Sequence, residues 1–221
     1  MQKDQTIQLG KLSLNKLSFF KAWVSIFHAV GIIGLALPIS QPIFQQLTPF
    51  HLLMSASLLL YFHRGWNLHF LGFSALAFLV GMTAEIIGVQ TGLIFGDYYY
   101  GSALGPKVWG VPLIIGLNWF LLVYLTGEWL YGKIQNHWIA AALGALMMVG
   151  IDFVMEPVAI ALDFWTWTSV AIPFENYLGW FLIAFVLQVS HRYFAFKKQN
   201  SLSPFLLVNL ILFFAILSLI L

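Results

Sequence analysis

Long apolar runs alternate with short polar stretches along the whole of this 221-residue chain. A membrane-crossing helix needs about 20 mostly apolar residues, and the pattern predicts seven such spans, at roughly 20–38, 49–63, 70–88, 112–131, 138–156, 177–195 and 204–221. The second is the shortest of them. The expected fold is all-α: a polytopic bundle of about seven transmembrane helices forming one domain over residues 1–221. The first nineteen residues are polar and basic. No small-residue cleavage pattern follows the first apolar run, so that run is expected to stay in place as a span.

Composition agrees. The chain is 61% hydrophobic and 8% charged, where a soluble domain carries about 25% charged residues. With the N-terminus placed in the cytoplasm, Lys3, Lys11, Lys16, Lys21, Arg64, Lys133, Arg192, Lys197 and Lys198 fall on the inner side, and only Lys107 on the outer. This asymmetry is the signature of membrane orientation and supports an odd number of spans. The expected location is the cytoplasmic (inner) membrane, with the lipid bilayer as surroundings. A net charge of +2 gives no reason to expect nucleic acid. There is no cysteine, so thiol chemistry and iron–sulfur clusters are excluded. The six histidines form no ligand set, and no phosphate-binding glycine motif is present, so neither a metal nor a nucleotide or flavin cofactor is expected.

Against this background the acids stand out. Glu85 lies within FLVGMTAEIIG, and Asp152 and Glu156 within MMVGIDFVMEP. An ionised carboxylate at the centre of a bilayer costs about 2.5–3.5 kcal/mol, so acids in such runs are rare and usually functional. The predicted topology puts Glu85 and Asp152 at similar depth near the outer end of their spans, with Glu156 at the rim. Asp152 and Glu156, four residues apart, share a helix face. Two carboxyls stacked in low dielectric do not both ionise cheaply, which supplies an acid beside a base. Asn118 and Trp119 lie about two turns below the same membrane face. Glu128, near the inner end of its span, has Lys133 as its expected ion-pair partner and reads as structural.

Three segments surround these acids. Residues 85–112 carry glycines at 88, 92, 96, 101, 105 and 110, the acid Asp97 and the run Tyr98, Tyr99, Tyr100. The spacing of Gly88, Gly92 and Gly96 suits close helix packing. The later glycines, with Pro106 and Pro112, suggest a folded-back loop roofing the bundle. Residues 152–167 join the acid pair to Pro157, expected to end or bend the helix, and to Asp163, Trp165 and Trp167. Residues 172–181, IPFENYLGWF, bring Asn176 and Trp180 to the start of the sixth span. The plainer alternatives are an interfacial aromatic belt for the tyrosines and hydrogen-bonded structural acids for the rest.

Taken in series, E-I-I-G-x-x-x-G-x-x-F-G-x-Y-x-Y with G-V-P and N-W, then D-x-x-x-E-P-V-A with W-x-W, then I-P-x-x-N-Y-x-G-W, resemble the carotenoid 1,2-hydratase family of integral-membrane enzymes over residues 81–182. The resemblance implies a cofactor-independent hydro-lyase that adds water to the terminal C1=C2 bond of an acyclic carotenoid end group. The substrate would be a membrane-dissolved, lycopene- or γ-carotene-like molecule. Protonation at C2 would give a tertiary cation at C1, which water captures. A desolvated carboxylic acid suits the first step, and aromatic faces attract the cation by about 0.5–2 kcal/mol. On this reading Glu85, Asp152 and Asp97 are the candidate proton-transfer groups, with Glu156 auxiliary. Asn118, Trp119, Tyr98, Trp165, Asn176 and Trp180 are candidates to position water or polyene.

A membrane lycopene cyclase would use the same protonation and close a ring instead of adding water. A small transporter with an intramembrane proton relay is a third reading, disfavoured because no internal repeat is visible. A retinal-binding receptor would need a lysine in the last span, and residues 204–221 contain none.

Overall fold

The computed structural model describes residues 6–9 and 12–221, with side chains from residue 15 onward. Lys3 and Lys11, two of the charges used to orient the chain, lie outside the described residues. A short hairpin, β1 (Thr6–Leu9) and β2 (Leu12–Asn15), leads into α1 (Lys16–Ala36). There follow α2 (Gln41–Phe62), α3 (Leu68–Thr91), α4 (Leu113–Leu130), α5 (His137–Ala161), α6 (Phe174–Tyr193) and α7 (Ser203–Ile220). Six of these seven helices are long and apolar enough to cross a membrane, which makes the protein a multi-pass membrane protein. The exception, α6, has the length but carries Glu175, Asn176, Gln188, His191 and Arg192 in its run.

The helix boundaries follow local chemistry. Asn15, Asn67 and Asn136 cap α1, α3 and α5 by accepting backbone N–H bonds that the first turn cannot satisfy internally. Pro42 and Pro204 occupy first-turn positions of α2 and α7, where a missing N–H costs nothing. Gly92 ends α3 in the left-handed conformation at φ +69°, a position that glycine takes without a Cβ clash.

Several expectations are corrected. The second span starts at Gln41, not 49, and runs 22 residues through an internal Pro49. Pro157 does not end α5, which continues to Ala161, so Glu156 lies within the helix. The spacing of Gly88, Gly92 and Gly96 does not build a helix–helix seam, because the helix stops at Thr91. Gly88 abuts Phe95 and the Tyr98 hydroxyl, while Gly92 and Gly96 are turn residues with positive φ. Lys133 does not pair with Glu128; its ammonium stands over the Trp129 ring at 3.9 Å.

Helices α3, α4, α5 and α6 form the inner group, with α4 the most enclosed; Trp119 to Gly127 is buried without a break. The loop between α3 and α4 folds back as predicted. Its strand β3 (Tyr98–Tyr100) pairs antiparallel with β6 (Trp165–Trp167) from the loop after α5, Tyr98 opposite Trp167 and Tyr100 opposite Trp165. Two flanking bonds, Gly101 N–H to Phe164 O (3.0 Å) and Thr168 N–H to Asp97 O (3.0 Å), extend this ladder. A second hairpin of β4 (Lys107–Val108) and β5 (Val111–Pro112) turns at Trp109 and Gly110, both with positive φ, and delivers the chain into α4. The β3–β6 pair therefore sits at the end of the bundle where α3 and α5 finish and α4 and α6 begin.

Candidate active site

Beneath the β3–β6 ribbon the three intrahelical acids meet. Glu85 from α3 and Asp152 and Glu156 from α5 are 3%, 1% and 1% exposed, and all three line one cleft. The cleft is closed by Tyr98, Tyr100, Trp165 and Trp167 from the ribbon and by Asn118, Asn176 and Trp180 from α4 and α6.

Strand geometry explains the roof. Successive side chains of a strand point to opposite faces, and here Tyr98 and Tyr100 are 8% and 6% exposed while Tyr99 between them is 54% exposed. Both inward hydroxyls donate to Glu85 Oε2, at 2.5 and 2.7 Å. From α4 the Trp119 indole N–H donates to the other oxygen, Oε1, at 2.9 Å. Trp119 lies flat against α3 because residue 81 is glycine: a Cβ there would stand 2.3 Å from the indole. Its other face stacks on Trp180 of α6, ring centroids 4.2 Å apart and 18° from parallel.

Glu156 is held in the same manner by the partner strand. The indole N–H groups of Trp165 and Trp167 both donate to its Oε2, at 3.0 and 2.9 Å. Asn176 then joins the two acids of α5, donating from Nδ2 to Asp152 Oδ2 at 2.8 Å and to Glu156 Oε1 at 3.4 Å. Asp152 Oδ1 is buried and has no hydrogen-bond partner among the described residues.

These bonds distinguish the three acids. An indole N–H can only donate, so Glu85 Oε1 and Glu156 Oε2 are acceptors. Asp152 alone keeps an oxygen free of any donor and turned into a buried space. The roof tyrosines lie outside the helical spans, and burial together with the neighbouring Glu85 carboxyl pushes both hydroxyls well above the ordinary phenol range. They remain proton-bearing donors to Glu85 throughout the physiological pH range.

The structure gathers nearly all of the residues singled out from sequence. Glu85, Asp152, Glu156, Tyr98, Asn118, Trp165, Asn176 and Trp180 line the cleft, and Trp119 supports it through Glu85. Asp97 is not brought in. It is exposed, its carboxyl is turned toward Gly92, and its part in the fold is the backbone carbonyl that accepts from Thr168. Tyr100 and Trp167 were not among the sequence candidates, although the alternation Y-x-Y and W-x-W carried the signal. A two-residue repeat of aromatics beside a buried acid marks one inward face of a strand. Among the described residues no group of three or more His, Asp or Glu side chains is placed to hold a metal ion.

Comparison with known proteins agrees with this architecture. Residues 47–221 match the family model described as carotenoid biosynthesis protein. Over 106 residues the chain is 35% identical to the bisanhydrobacterioruberin hydratase of Haloarcula japonica, a match covering 44% of this chain and 36% of that protein. The chain thus spans about a third of the length of this curated relative. No solved structure matches the chain. The family match takes in every residue of the cleft, and the chain belongs to the carotenoid biosynthesis protein family.

Proposed function

We propose that this protein hydrates the terminal C1=C2 bond of an acyclic, lycopene- or γ-carotene-like carotenoid dissolved in the bilayer, giving a 1-hydroxy carotenoid. The observation that carries the reading is the convergence of three buried acids under an aromatic roof, with one carboxyl oxygen left without a donor. The hydratase relative and the family support the substrate class.

In the proposed mechanism the proton resides on Asp152 Oδ1 and passes to C2 of the alkene, leaving a tertiary cation at C1. The Trp165, Trp167 and Trp180 rings border the space where that cation forms and stabilise it by about 0.5–2 kcal/mol each where a ring face is presented. Glu85, fixed by three donors, places negative charge density beside it. Water adds to C1, its oxygen forming the new C–O bond, and its surplus proton goes to Glu156. That proton returns to Asp152, one turn away on the same helix, so the cycle closes without any other reactant. The proposed setting is the cytoplasmic membrane with the N-terminus inside, supported by the placement of nine of ten basic residues on one side.

Expression in a lycopene-accumulating bacterium, followed by chromatography and mass spectrometry of the pigments, tests the reaction. A product heavier by one water per modified end is expected. A new pigment of unchanged mass would instead identify a cyclase, and an unaltered pigment profile from well-expressed protein would sink both readings.

A further inference from the structure

The acid cleft is too small for a polyene tens of ångströms long, and two further spaces lie beyond it. A cavity of about 40 Å3 shares Ile115, Asn118 and Trp165 with the acid cleft. A third, of about 220 Å3, shares Leu35, Thr48, His51 and Phe213 with the second. Three spaces with common walls thus lead from the acids, between α4 and α7, to the flank of α1 and α2. At that flank Val30 and Leu47 are 48% and 45% exposed on helices that face the membrane. The far wall is aromatic. The His51 ring stacks on Phe27 at 4.8 Å and 19° from parallel, and lies 5.4 Å from Phe213.

We propose that these spaces form one lateral channel that binds the linear polyene chain, admitted from the bilayer between α1, α2 and α7. Asn118 and Trp165 form the aperture through which the reactive end reaches the acids. The inference rests on the hydratase reading for the identity of the ligand. It adds where the conjugated chain lies and which helices admit it. The occupant is a rigid conjugated chain, because the route is walled by flat rings and its polar wall residues, Thr48, His51 and Asn118, are few.

The absence of native cysteine makes a clean test possible. Thr48→Cys stands where the second and third spaces join, and Leu47→Cys at the mouth; Leu146→Cys on the outer surface of α5 is the control. Each is purified folded, placed in phospholipid nanodiscs, and treated with a bulky maleimide with and without lycopene. With lycopene at ten times its dissociation constant, labelling at 48 is expected to slow about tenfold, as occupancy requires. Labelling at 146 should be unchanged. Conversely, the label at 48 or 47, attached after folding, should abolish retention of lycopene absorbance, and Glu85→Gln should leave that retention intact. Equal labelling rates with and without lycopene, or full pigment retention after labelling at 48, would overturn the channel. Wild-type protein that retains lycopene at this site yet never hydrates it would refute the hydratase reading and leave the channel standing.

Discussion

Two buried polar clusters occupy opposite ends of the same helices, and only one is built for chemistry. At the end where α3 finishes, Glu85, Asp152 and Glu156 surround a cleft. At the other end Glu128 of α4 accepts from the backbone N–H of Asn200 at 2.9 Å. Asn200 in turn donates to Leu59 O and Tyr124 Oη and accepts from the first N–H groups of α7. The Tyr124 hydroxyl lies 2.8 Å from His63 Nδ1, and the Lys198 ammonium donates to Phe194 O. There Glu128, Lys198 and most of the bonds of Asn200 engage backbone atoms, tying the end of α2 and the start of α7 onto α4. Glu128 Oε1, like Asp152 Oδ1, is buried without a hydrogen-bond partner among the described residues. In the cleft the acids engage side chains, aromatic for Glu85 and Glu156 and the Asn176 amide for Asp152, that line an open space. An acid in a membrane helix is therefore not a catalytic mark by itself. What distinguishes the two is whether its partners are main-chain groups that must be satisfied or side chains that leave room for a ligand.

The largest expected contrast is between Asp152→Asn and any change at Glu128. If Asp152 is the proton donor, its amide removes about 10²–10⁴-fold of hydration activity, the span ascribed to a positioned general acid. Asn176 can still bond the remaining carbonyl oxygen, so the fold and pigment binding should survive. Hydration within a few-fold of wild type, measured as product per folded enzyme, would remove Asp152 from the mechanism.

The roof gives a smaller effect. Tyr100→Phe deletes one of three donors to Glu85, and Trp167→Phe one of two indole donors to Glu156. Hydrogen bonds to charged groups are worth about 1.5–3 kcal/mol, so each change should lower turnover by roughly ten- to a hundredfold. Tyr99→Phe, on the outward face of the same strand, should leave turnover unchanged. Equal losses at 99 and 100 would mean that the strand matters as a lid and not through its hydroxyls.

That strand also shows where sequence reading stops. Apolar runs of membrane length were legible, and so were the three acids within them, because both are properties of a local window. The pairing of Tyr98–Tyr100 with Trp165–Trp167 was not, since it joins loops separated by two helices and leaves no local periodicity. Hence Tyr100 and Trp167 were overlooked, although each bonds an acid that had been identified. Pro157 misled for a related reason. A proline in a helix interior usually breaks it, but in α5 the flanking residues are packed against α6 and the apolar run carries the helix on to Ala161. Glycine spacing misled where the helix ended earlier than the repeat, at Gly92.

The other end of the bundle should answer in stability and not in turnover. Glu128→Leu strands the Asn200 N–H, a loss of about 1–3 kcal/mol, which a lower melting temperature with unaltered turnover per folded molecule would register. Acid should act there as well. His63 lies just past the end of α2, stacked on Phe70, with burial lowering its pKa to about 4. The folded value is below the unfolded 6.5, so the neutral ring's contribution is present above pH 6.5 and is lost as the pH falls toward 4. Melting temperature should therefore decline across that interval in the wild type, and His63→Asn should flatten the decline. An identical pH profile in the variant would assign the acid sensitivity to another group.

The smallest effect is expected at Asp97, the acid that adjoins the site in sequence and stands apart from it in space. It precedes Tyr98 by one residue, and one residue along an extended chain reverses the side-chain direction. Its carboxyl faces Gly92 and solvent, and the bonds that matter to the ribbon come from its carbonyl oxygen, which accepts from Thr168 N–H and Oγ1. Asp97→Asn keeps that backbone and the side-chain shape, so turnover and melting temperature should both stay near wild type, as surface substitutions generally change stability by less than about 0.5 kcal/mol. A loss comparable to that of Asp152→Asn would show that the loop closes over substrate in a conformation that carries Asp97 inward, and the boundary of the active site would have to be redrawn to include it.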